Sequence, residues 1–379
     1  MKWVFRRTFS CDLLVVDTIG KGWIKTCLPE YATTELLNIR EERIFLLEVG
    51  FIFRLLISCL GQALKRDGTL GYAWLSTLLC RLSPTVIVSC ADNNALLARF
   101  GAEHPDIPVL LIQNAMRDTQ GTMTPGQDLP IYLAFGEIER EIFHTVGIRC
   151  RQYQPIGSVK LGLALAEEKD KPHQAFDLAF ISQYRPSMFE LSSALLEPQM
   201  EANQKYLFQL CCRYAQARTL TLAVITKSRE SQAQLAEQDY YKRLASGLPL
   251  HFVCADKAKQ ELDSYLAGLA SDLVIHPAST LGFELLAAGK KVVLGATVNP
   301  KLIQAWGIKH YVDAMPDSVK LKARSSDADF FQHCDTLRAM PDEQYHELTR
   351  KAVQSLVTMP ENDCSHEIVK ALISDWLRS

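Results

Sequence analysis

The stretch Ser271 to Gly295, SDLVIHPASTLGFELLAAGKKVVLG, predicts a strand, a polar loop, a short helix and a second strand. The polar loop is His276 to Thr280, the helix is Leu281 to Ala288, and Gly289 stops it before the second apolar run. A helix that joins two parallel strands forms a βαβ unit, whose loop and helix N-terminus lie at the carboxyl edge of the sheet. We therefore expect a ligand at this loop.

The residue types in this loop and helix suit a nucleotide. Ser279 and Thr280 stand at the predicted helix start, where free backbone N–H groups favour an anion such as phosphate. Glu284 follows Thr280 by about one helical turn, so its carboxylate is placed to accept hydrogen bonds from ribose hydroxyls. His276 and Gly282 belong to the same predicted donor-binding segment. The alternative is structural: the two hydroxyls cap a helix, His276 is a buried strand-end histidine and Glu284 faces solvent.

Composition places the chain among globular proteins of two domains. It has 379 residues, of which 22% are charged and 48% apolar, and its formal net charge is −2. No basic run is present, so nucleic acid is not an expected partner. The eleven cysteines show no CxxC spacing, which favours neither a disulfide framework nor a zinc site and fits a reducing cytoplasm.

One long apolar segment, Ile44 to Leu64, raises the question of membrane contact. Glu48 and Arg54 interrupt it, and Lys65 and Arg66 follow it, which argues against a bilayer span. A buried helix is one interpretation. The other is peripheral contact with the inner membrane from the cytoplasmic side, through the side chains of Phe45, Phe51, Phe53, Leu55 and Leu56.

Alternating short strands and helices predict an α/β N-terminal domain, residues 1–163, with a mainly parallel sheet. Its predicted strands are Asp12 to Asp17, Pro84 to Ser89, Pro108 to Gln113, Leu129 to Phe135 and Arg151 to Pro155. Asp17 ends the first of these strands and Asp92 follows the second; both are candidate catalytic carboxylates, although Asp92 would also serve as a helix cap. Asn93, Asn114 and Arg117 are expected in the acceptor site or cleft.

A second α/β set predicts a C-terminal domain, residues 175–360, and the polar stretch Ala164 to Gln174 is the predicted linker. Residues 361–379 are expected to form a final helix that packs back on the first domain. Strand ends of the second domain deliver cationic or hydrogen-bonding side chains to one sheet edge, which favours an anion-binding cleft over solvated surface charges. These side chains are Gln183, Arg185, Lys227 and Arg229.

Motifs over most of the chain resemble those of bacterial GT-B glycosyltransferases, in particular the surface carbohydrate transferases of O-antigen and capsule clusters. The more specific motifs are ISQYR at 181–185 and STLGFE at 279–284 with GKKV at 289–292. The weaker ones are DTIG at 17–20, the Arg40/Glu42 segment, ADNN at 91–94, IQNAMRD at 112–118, FGE at 135–137 and PIGS at 155–158. More distantly, GFE at 282–284, AWG at 305–307 and His276-Pro277 are similar to motifs of capsular Kdo transferases and other CMP-sugar transferases.

This resemblance implies a GT-B fold of two Rossmann-like domains, with the nucleotide on the C-terminal domain and the acceptor across a central cleft. The glycine-rich phosphate loop of many GT-B enzymes is absent, so side chains such as Arg185 would take over its role. The implied reaction transfers a sugar from a nucleotide-activated donor, CMP-Kdo-like or a UDP- or GDP-sugar, to a growing surface polysaccharide. The acceptor would be a glycan or a lipid-linked glycan.

The expected mechanism needs no cofactor, because the nucleotide-sugar is a co-substrate. No DxD-type pair follows a strand near the site, so metal-independent transfer is expected, with Arg185, Lys227 and the Ser279 loop neutralising the leaving nucleotide. Asp92, or else Asp17, would activate the acceptor or act as nucleophile. The alternatives are a sugar-nucleotide 2-epimerase, a polyol-phosphate transferase and a non-catalytic GT-B scaffold.

Overall fold

The computed structural model describes residues 2–64, 69–120, 123–170, 175–185, 196–254, 262–296, 299–323 and 325–378. Within these ranges the chain forms a six-stranded sheet, a five-stranded sheet and a separate two-stranded sheet. All strand pairs are parallel. The predicted α/β architecture with mainly parallel sheets is confirmed.

The first half builds the six-stranded sheet in the order β3-β2-β5-β6-β7-β8. Its elements are β1 (Lys2–Arg6), β2 (Leu13–Val16), α1 (Lys21–Ile24), β3 (Thr34–Leu37), β4 (Glu42–Leu46), α2 (Val49–Ala63), α3 (Leu70–Leu82), β5 (Val86–Ser89), α4 (Ala95–Glu103), β6 (Val109–Ile112), β7 (Asp128–Ala134), α5 (Ile138–Thr145), β8 (Arg149–Pro155) and α6 (Val159–Asp170). Central strands such as β5, VIVS, are buried at every position because helices cover both faces of the sheet.

The second half builds the five-stranded sheet in the order β11-β10-β9-β12-β13. Its elements are β9 (Phe176–Ile181), α7 (Leu196–Arg218), β10 (Leu222–Ile225), α8 (Ser231–Leu244), β11 (His251–Val253), α9 (Asp263–Leu269), β12 (Ser271–His276), α10 (Thr280–Ala287), β13 (Lys291–Leu294), α11 (Pro300–Trp306), α12 (Lys309–Ala314), α13 (Asp327–Ala339), α14 (Asp342–Leu356) and α15 (Ser365–Arg378). The predicted βαβ unit is β12, α10 and β13. Gly289, with φ 79°, ends the helix in a left-handed conformation that favours glycine.

Two parts of the chain differ from the sequence-based expectation. Most of the predicted linker, Ala164 to Asp170, is the second half of α6, because its charged residues are good helix formers. Residues 171–174 lie outside the described residues. The apolar segment from Ile44 is divided between β4 and α2, and no helix among the described residues is long and apolar enough to cross a membrane.

The end of the chain returns to the first sheet. The N–H of Thr358 donates to the carbonyl of Phe135 at 2.8 Å. The last turn of α14 passes so close to Gly136 that a Cβ there would lie 2.3 Å from the Ser355 carbonyl oxygen. On α15, Val369 and Ile373 are fully buried in a cluster with residues of β2, β5 and β6. The last helix therefore covers one face of the N-terminal sheet.

Candidate functional site

A cavity of about 380 Å³ lies between the carboxyl ends of the two sheets. Its N-terminal wall consists of the loop from Asn114 to Asp118 and of Lys160 at the start of α6. Its C-terminal wall consists of residues that follow β9, β10 and β12, together with Tyr265, Glu284 and Trp306. The volume is within the range of small-molecule sites, and the position at a shared carboxyl edge is typical of nucleotide sites in α/β proteins.

His276 and Gly282 pack beneath the surface of the cavity and do not line it. His276 holds the loop after β12 by a hydrogen bond. The His276 ring is fully buried, and its Nδ1 accepts a hydrogen bond from the Ser279 N–H at 3.0 Å. Burial lowers the pKa of His276 to about 3, so the ring is neutral at pH 7 and carries its proton on Nε2. A Cβ at Gly282 would lie 2.3 Å from Nδ1, so this helix position needs glycine. The expectation that both residues contact the donor is wrong, because the ring and the glycine pack against each other.

Ser279 and Thr280 begin α10 at the cavity wall, as predicted, but their hydroxyls do not cap the helix. Ser279 occupies the N-cap position and makes no side-chain capping hydrogen bond. Thr280 Oγ1 accepts a hydrogen bond from the Met116 N–H at 3.0 Å, across the cleft. The loop therefore joins the two halves of the protein, and the N-terminus of α10 still faces the cavity.

Glu284 lines the cavity, and two hydroxyl groups hold its carboxylate in place. Its carboxylate accepts a hydrogen bond from the hydroxyl of Ser158, in the first half, and from that of Tyr265 at 2.8 and 2.9 Å. Burial raises the pKa of Glu284, while Ser158 and the nearby Lys160 act in the opposite direction. The predicted placement next to the loop is correct, and the solvent-facing alternative is excluded because only 1% of the residue is exposed.

Cationic side chains line the cavity on the C-terminal side, as the sequence predicted. Arg185 follows β9, and Lys227 and Arg229 follow β10. The Nζ of Lys227 donates to Oε1 of Gln183 at 3.2 Å. The Lys227 side chain is exposed to solvent at the cavity. Desolvation by the surrounding protein, and secondly the positive charge of Arg185, nevertheless lowers the pKa of Lys227 to about 8.

Buried polar residues that sequence reasoning missed hold these loops in position. Both carboxylate oxygens of Glu237 accept backbone hydrogen bonds, from the N–H of Lys227 at 3.0 Å and that of Ser228 at 2.8 Å. The Gln204 side chain accepts one from the N–H of Gln183. The pattern offered no signal for them, because Glu237 and Gln204 lie within helices and only the tertiary structure places them beside the loops.

Asp92 does not face the cleft. Its carboxylate is fully buried, forms an ion pair with the Arg117 guanidinium and accepts a hydrogen bond from the Tyr132 hydroxyl at 2.7 Å. The cap of α4 is Asn94, whose side chain accepts from the Leu97 N–H at 3.1 Å. Neither the catalytic role nor the capping role expected of Asp92 fits this environment, because Arg117 and Tyr132 occupy both oxygens.

Of the other residues expected in the site from the first half, two line the cavity and two do not. Asp17 is fully buried at φ 82°, where its Oδ1 accepts from the Thr18 and Ile19 N–H groups, and it pairs with Arg40 outside the cavity lining. Asn93 is exposed and also lies outside the lining. Asn114 and Arg117 do line the cavity, as expected. The predicted catalytic role of Asp17 does not fit this environment, because the turn after β2 binds one carboxylate oxygen and Arg40 pairs with the other.

In the first half of the protein, the Asp118 side chain places a carboxylate in the cavity lining. It follows Arg117 at the end of the IQNAMRD segment, and its Oδ1 accepts from the Gln120 N–H at 2.8 Å. A second contact across the cleft fixes this loop: the Arg117 N–H donates to the Tyr311 hydroxyl at 2.8 Å, and that hydroxyl donates to Glu139 Oε1 at 2.7 Å. The available signal was the position of Asp118 beyond the end of a buried strand.

Comparison with solved structures identifies the fold. The chain is similar to UDP-GlcNAc 2-epimerase from Neisseria meningitidis bound to UDP-GlcNAc, with a TM-score of 0.52 at 14% identity and 100% of both chains covered. It is also similar to the Methanocaldococcus jannaschii UDP-GlcNAc 2-epimerase in complex with UDP-GlcNAc and UDP, at 0.53, 10% identity and 99% and 100% coverage. The wall teichoic acid polymerase TagF matches at 0.54 and 11% identity, over 97% of this chain and 89% of the polymerase chain. These are GT-B proteins, so the predicted fold is confirmed.

Comparison with protein families identifies the kind of protein. No curated protein sequence matches the chain. Residues 144–368, which include the cavity's C-terminal wall, match a family described as "putative O-antigen biosynthesis protein". Because this match covers more than half of the chain, the protein belongs to that family of O-antigen biosynthesis proteins and has the GT-B fold.

Proposed function

We propose that this protein is a glycosyltransferase that moves a sugar from a nucleotide-activated donor to a growing bacterial surface glycan. The observation that carries the proposal is a single cavity with cations and a helix N-terminus on one wall and a carboxylate, Asp118, on the other. The first wall suits the phosphates of a nucleotide, and the second suits activation of an acceptor hydroxyl. Membership of an O-antigen biosynthesis family supports the surface glycan as product.

The donor would bind with its phosphates at the N-terminus of α10, near Arg185, Lys227 and Arg229. Glu284, whose carboxylate can accept further hydrogen bonds, would bind ribose hydroxyls on the cavity floor. In the transfer step the acceptor oxygen bonds to the anomeric carbon, and the bond from that carbon to the phosphate oxygen breaks. The electron pair stays on the nucleotide phosphate, which the cations stabilise, and the acceptor proton moves to Asp118.

Lys160 completes the charge arrangement from the N-terminal side. It stands at the start of α6, lines the cavity and lies close enough to act on the Glu284 carboxylate. A cation in this place would balance the charge of Glu284 and contact the donor phosphates when they bind. The protein's own cations could then neutralise the leaving nucleotide, so we propose transfer without a metal ion. Transfer measured in excess EDTA should keep its rate; loss of activity that Mg²⁺ or Mn²⁺ restores would contradict this part.

Thermal unfolding with UDP-, GDP-, CMP- and dTDP-sugars and CDP-glycerol tests donor binding. One class of nucleotide should raise the unfolding temperature, and replacing Lys227 by glutamine should reduce the shift. The matched control is Lys205→Gln, an exposed lysine of α7 that does not line the cavity. If no nucleotide stabilises the protein, the transferase proposal fails and a non-catalytic scaffold takes its place.

The structural neighbours favour an epimerase as the second candidate, because two of them carry UDP-GlcNAc in the same fold. An epimerase would convert UDP-GlcNAc without any acceptor, and NMR of the sugar would detect the inverted carbon. A polyol-phosphate transferase would instead release CMP from CDP-glycerol and transfer the phosphate. We propose sugar transfer, and transfer requires donor consumption to depend on an added glycan or lipid-linked glycan. We place this reaction at the cytoplasmic face of the inner membrane.

A further inference from the structure

Helix α2 exposes a continuous apolar stripe to solvent. Its exposed large side chains recur at helical spacing over the whole length of the helix and its C-cap, roughly 22 Å at 1.5 Å per residue. They are Val49, Ile52, Phe53, Leu56, Ile57, Leu60 and Leu64. Val49 is 86% exposed and Leu60 68%, whereas Phe51 on the opposite side is fully buried. Monomeric proteins rarely leave a stripe of this size uncovered, so it marks a surface that is covered in function.

The two-stranded sheet adds exposed aromatic side chains. Trp3 and Phe5 alternate along β1 and are both more than 60% exposed, at 62% and 63%. The Phe45 ring on β4 lies 5.0 Å from Trp3 and 6.0 Å from Phe5, and it meets Phe51 of α2 edge-on at 6.3 Å. Phe45 therefore connects the rings of β1 with α2 through Phe51 on the buried side of the helix. We call the exposed side chains of α2 and β1 together the α2–β1 surface.

The β1 and α2 segments themselves carry only cationic charges, although Arg6 pairs with Glu35 of β3 at 3.9 Å and β4 contributes Glu42. Residues 2–7 and 49–64 contain Lys2, Arg6, Arg7 and Arg54 and no acidic residue. Glu48, which precedes the helix, is paired with Arg81 of α3. Exposed apolar and aromatic side chains with a cationic border are the pattern that binds the headgroup region of anionic lipids. A second copy of the chain fits less well, because a symmetric contact would bring the cations of both copies together.

We propose that the α2–β1 surface docks on an anionic lipid bilayer, with α2 in the plane of the membrane and its apolar stripe in the headgroup boundary. The N-terminal half, which we expect to receive the acceptor, is then held where a lipid-linked acceptor would reside. The docking surface consists of residues that do not line the cavity. Membrane binding can therefore be measured without a donor, and it stands or falls separately from the proposed transfer reaction.

Vesicle co-sedimentation tests the docking surface. The protein should bind vesicles of phosphatidylethanolamine and phosphatidylglycerol at least about tenfold better than phosphatidylcholine vesicles. The double variant Phe53→Asp/Leu60→Asp should lose about tenfold or more of that binding, because two charges replace apolar side chains that would enter the bilayer boundary. Leu235→Asp is the matched control, since Leu235 is 61% exposed on α8, away from this surface, and should bind as the parent does.

Two further measurements sharpen the result. Arg54→Gln should weaken binding to the anionic vesicles about fivefold and leave the weak binding to phosphatidylcholine unchanged. Thermal unfolding should show that all variants remain folded, because the substituted side chains are exposed. Equal vesicle binding by the parent and the double variant would overturn the proposal. So would a parent that ignores vesicles and forms a dimer which the double variant breaks, because the occupant would then be a second copy.

Discussion

The Ser158 hydroxyl donates a hydrogen bond to the Glu284 carboxylate, although the two residues lie 126 positions apart and belong to different halves of the protein. Ser158 precedes α6 in the first half, and Glu284 lies in α10 in the second. The carboxylate therefore serves both as cavity floor and as a link between the halves. Substitutions at Glu284 are expected to affect binding and stability together.

Replacing Glu284 by alanine should weaken nucleotide binding about ten- to a hundredfold, the loss expected for a charge-assisted hydrogen bond. The variant should also unfold more easily, because the hydroxyls of Ser158 and Tyr265 lose their acceptor inside the protein, at about 1–3 kcal/mol each. Calorimetry and denaturant unfolding measure the two effects. Glu343→Ala, an exposed residue of α14, is the control and should change neither. Parental affinity in Glu284→Ala would remove this residue from the donor site.

The pH dependence of donor binding should report Lys227, whose pKa is lowered to about 8. A bound phosphate favours the charged ammonium, so binding takes up a proton above that pH. Affinity should then be constant below about pH 8 and fall by up to about tenfold for each pH unit above it. Lys227→Arg stays charged and should flatten the profile, whereas Lys205→Arg should leave it unchanged. A parental profile in Lys227→Arg would show that Lys227 does not contact the phosphates.

Asp118→Asn should separate chemistry from binding. Asparagine keeps an oxygen for the Gln120 N–H, so the loop and donor affinity should survive, while transfer falls by about two orders of magnitude or more if Asp118 is the base. Steady-state kinetics, with donor affinity measured separately, provides the test. Near-parental turnover would assign acceptor activation to another group.

Asp92→Asn should behave in the opposite way, because Asp92 is the buried partner of Arg117. Removing its charge leaves the guanidinium buried without compensation, a loss of about 3–5 kcal/mol in the free energy of unfolding. Urea unfolding measures this loss. A variant as stable as the parent but strongly reduced in transfer would restore the catalytic role that the buried ion pair contradicts.

The contact between Gly282 and His276 predicts a non-additive pair of substitutions. Gly282→Ala should destabilise the protein by about 1–3 kcal/mol, because the new Cβ would lie 2.3 Å from the ring. In the His276→Ala background the ring is gone, and the same substitution should cost much less. A double-mutant cycle by denaturant unfolding measures the difference. Additive losses would mean that the ring does not set the requirement for glycine.

Local patterns were sufficient to predict the elements on which the cavity is built. The elements β12, α10 and β13 fall within the expected stretch, because apolar periodicity and glycine stops are properties of neighbouring residues. The positions of Arg185 and Lys227 at one edge followed as well, since parallel strands bring their carboxyl ends to the same side. The strands β1, β3 and β4 were not recognised, because they are short and contain charged or polar residues in place of a continuous apolar run.

Tertiary structure decided which of these side chains face the cavity. Asp92 and Asp118 both follow a strand end, yet Arg117 and Tyr132, 25 and 40 positions from Asp92, cover the first carboxylate and leave the second at the cavity wall. Likewise, the apolar pattern of α2 is equally compatible with a core and with an exposed surface, and only its packing shows which side chains remain uncovered. Periodicity reports what a segment could bury, whereas long-range contacts determine what it does bury.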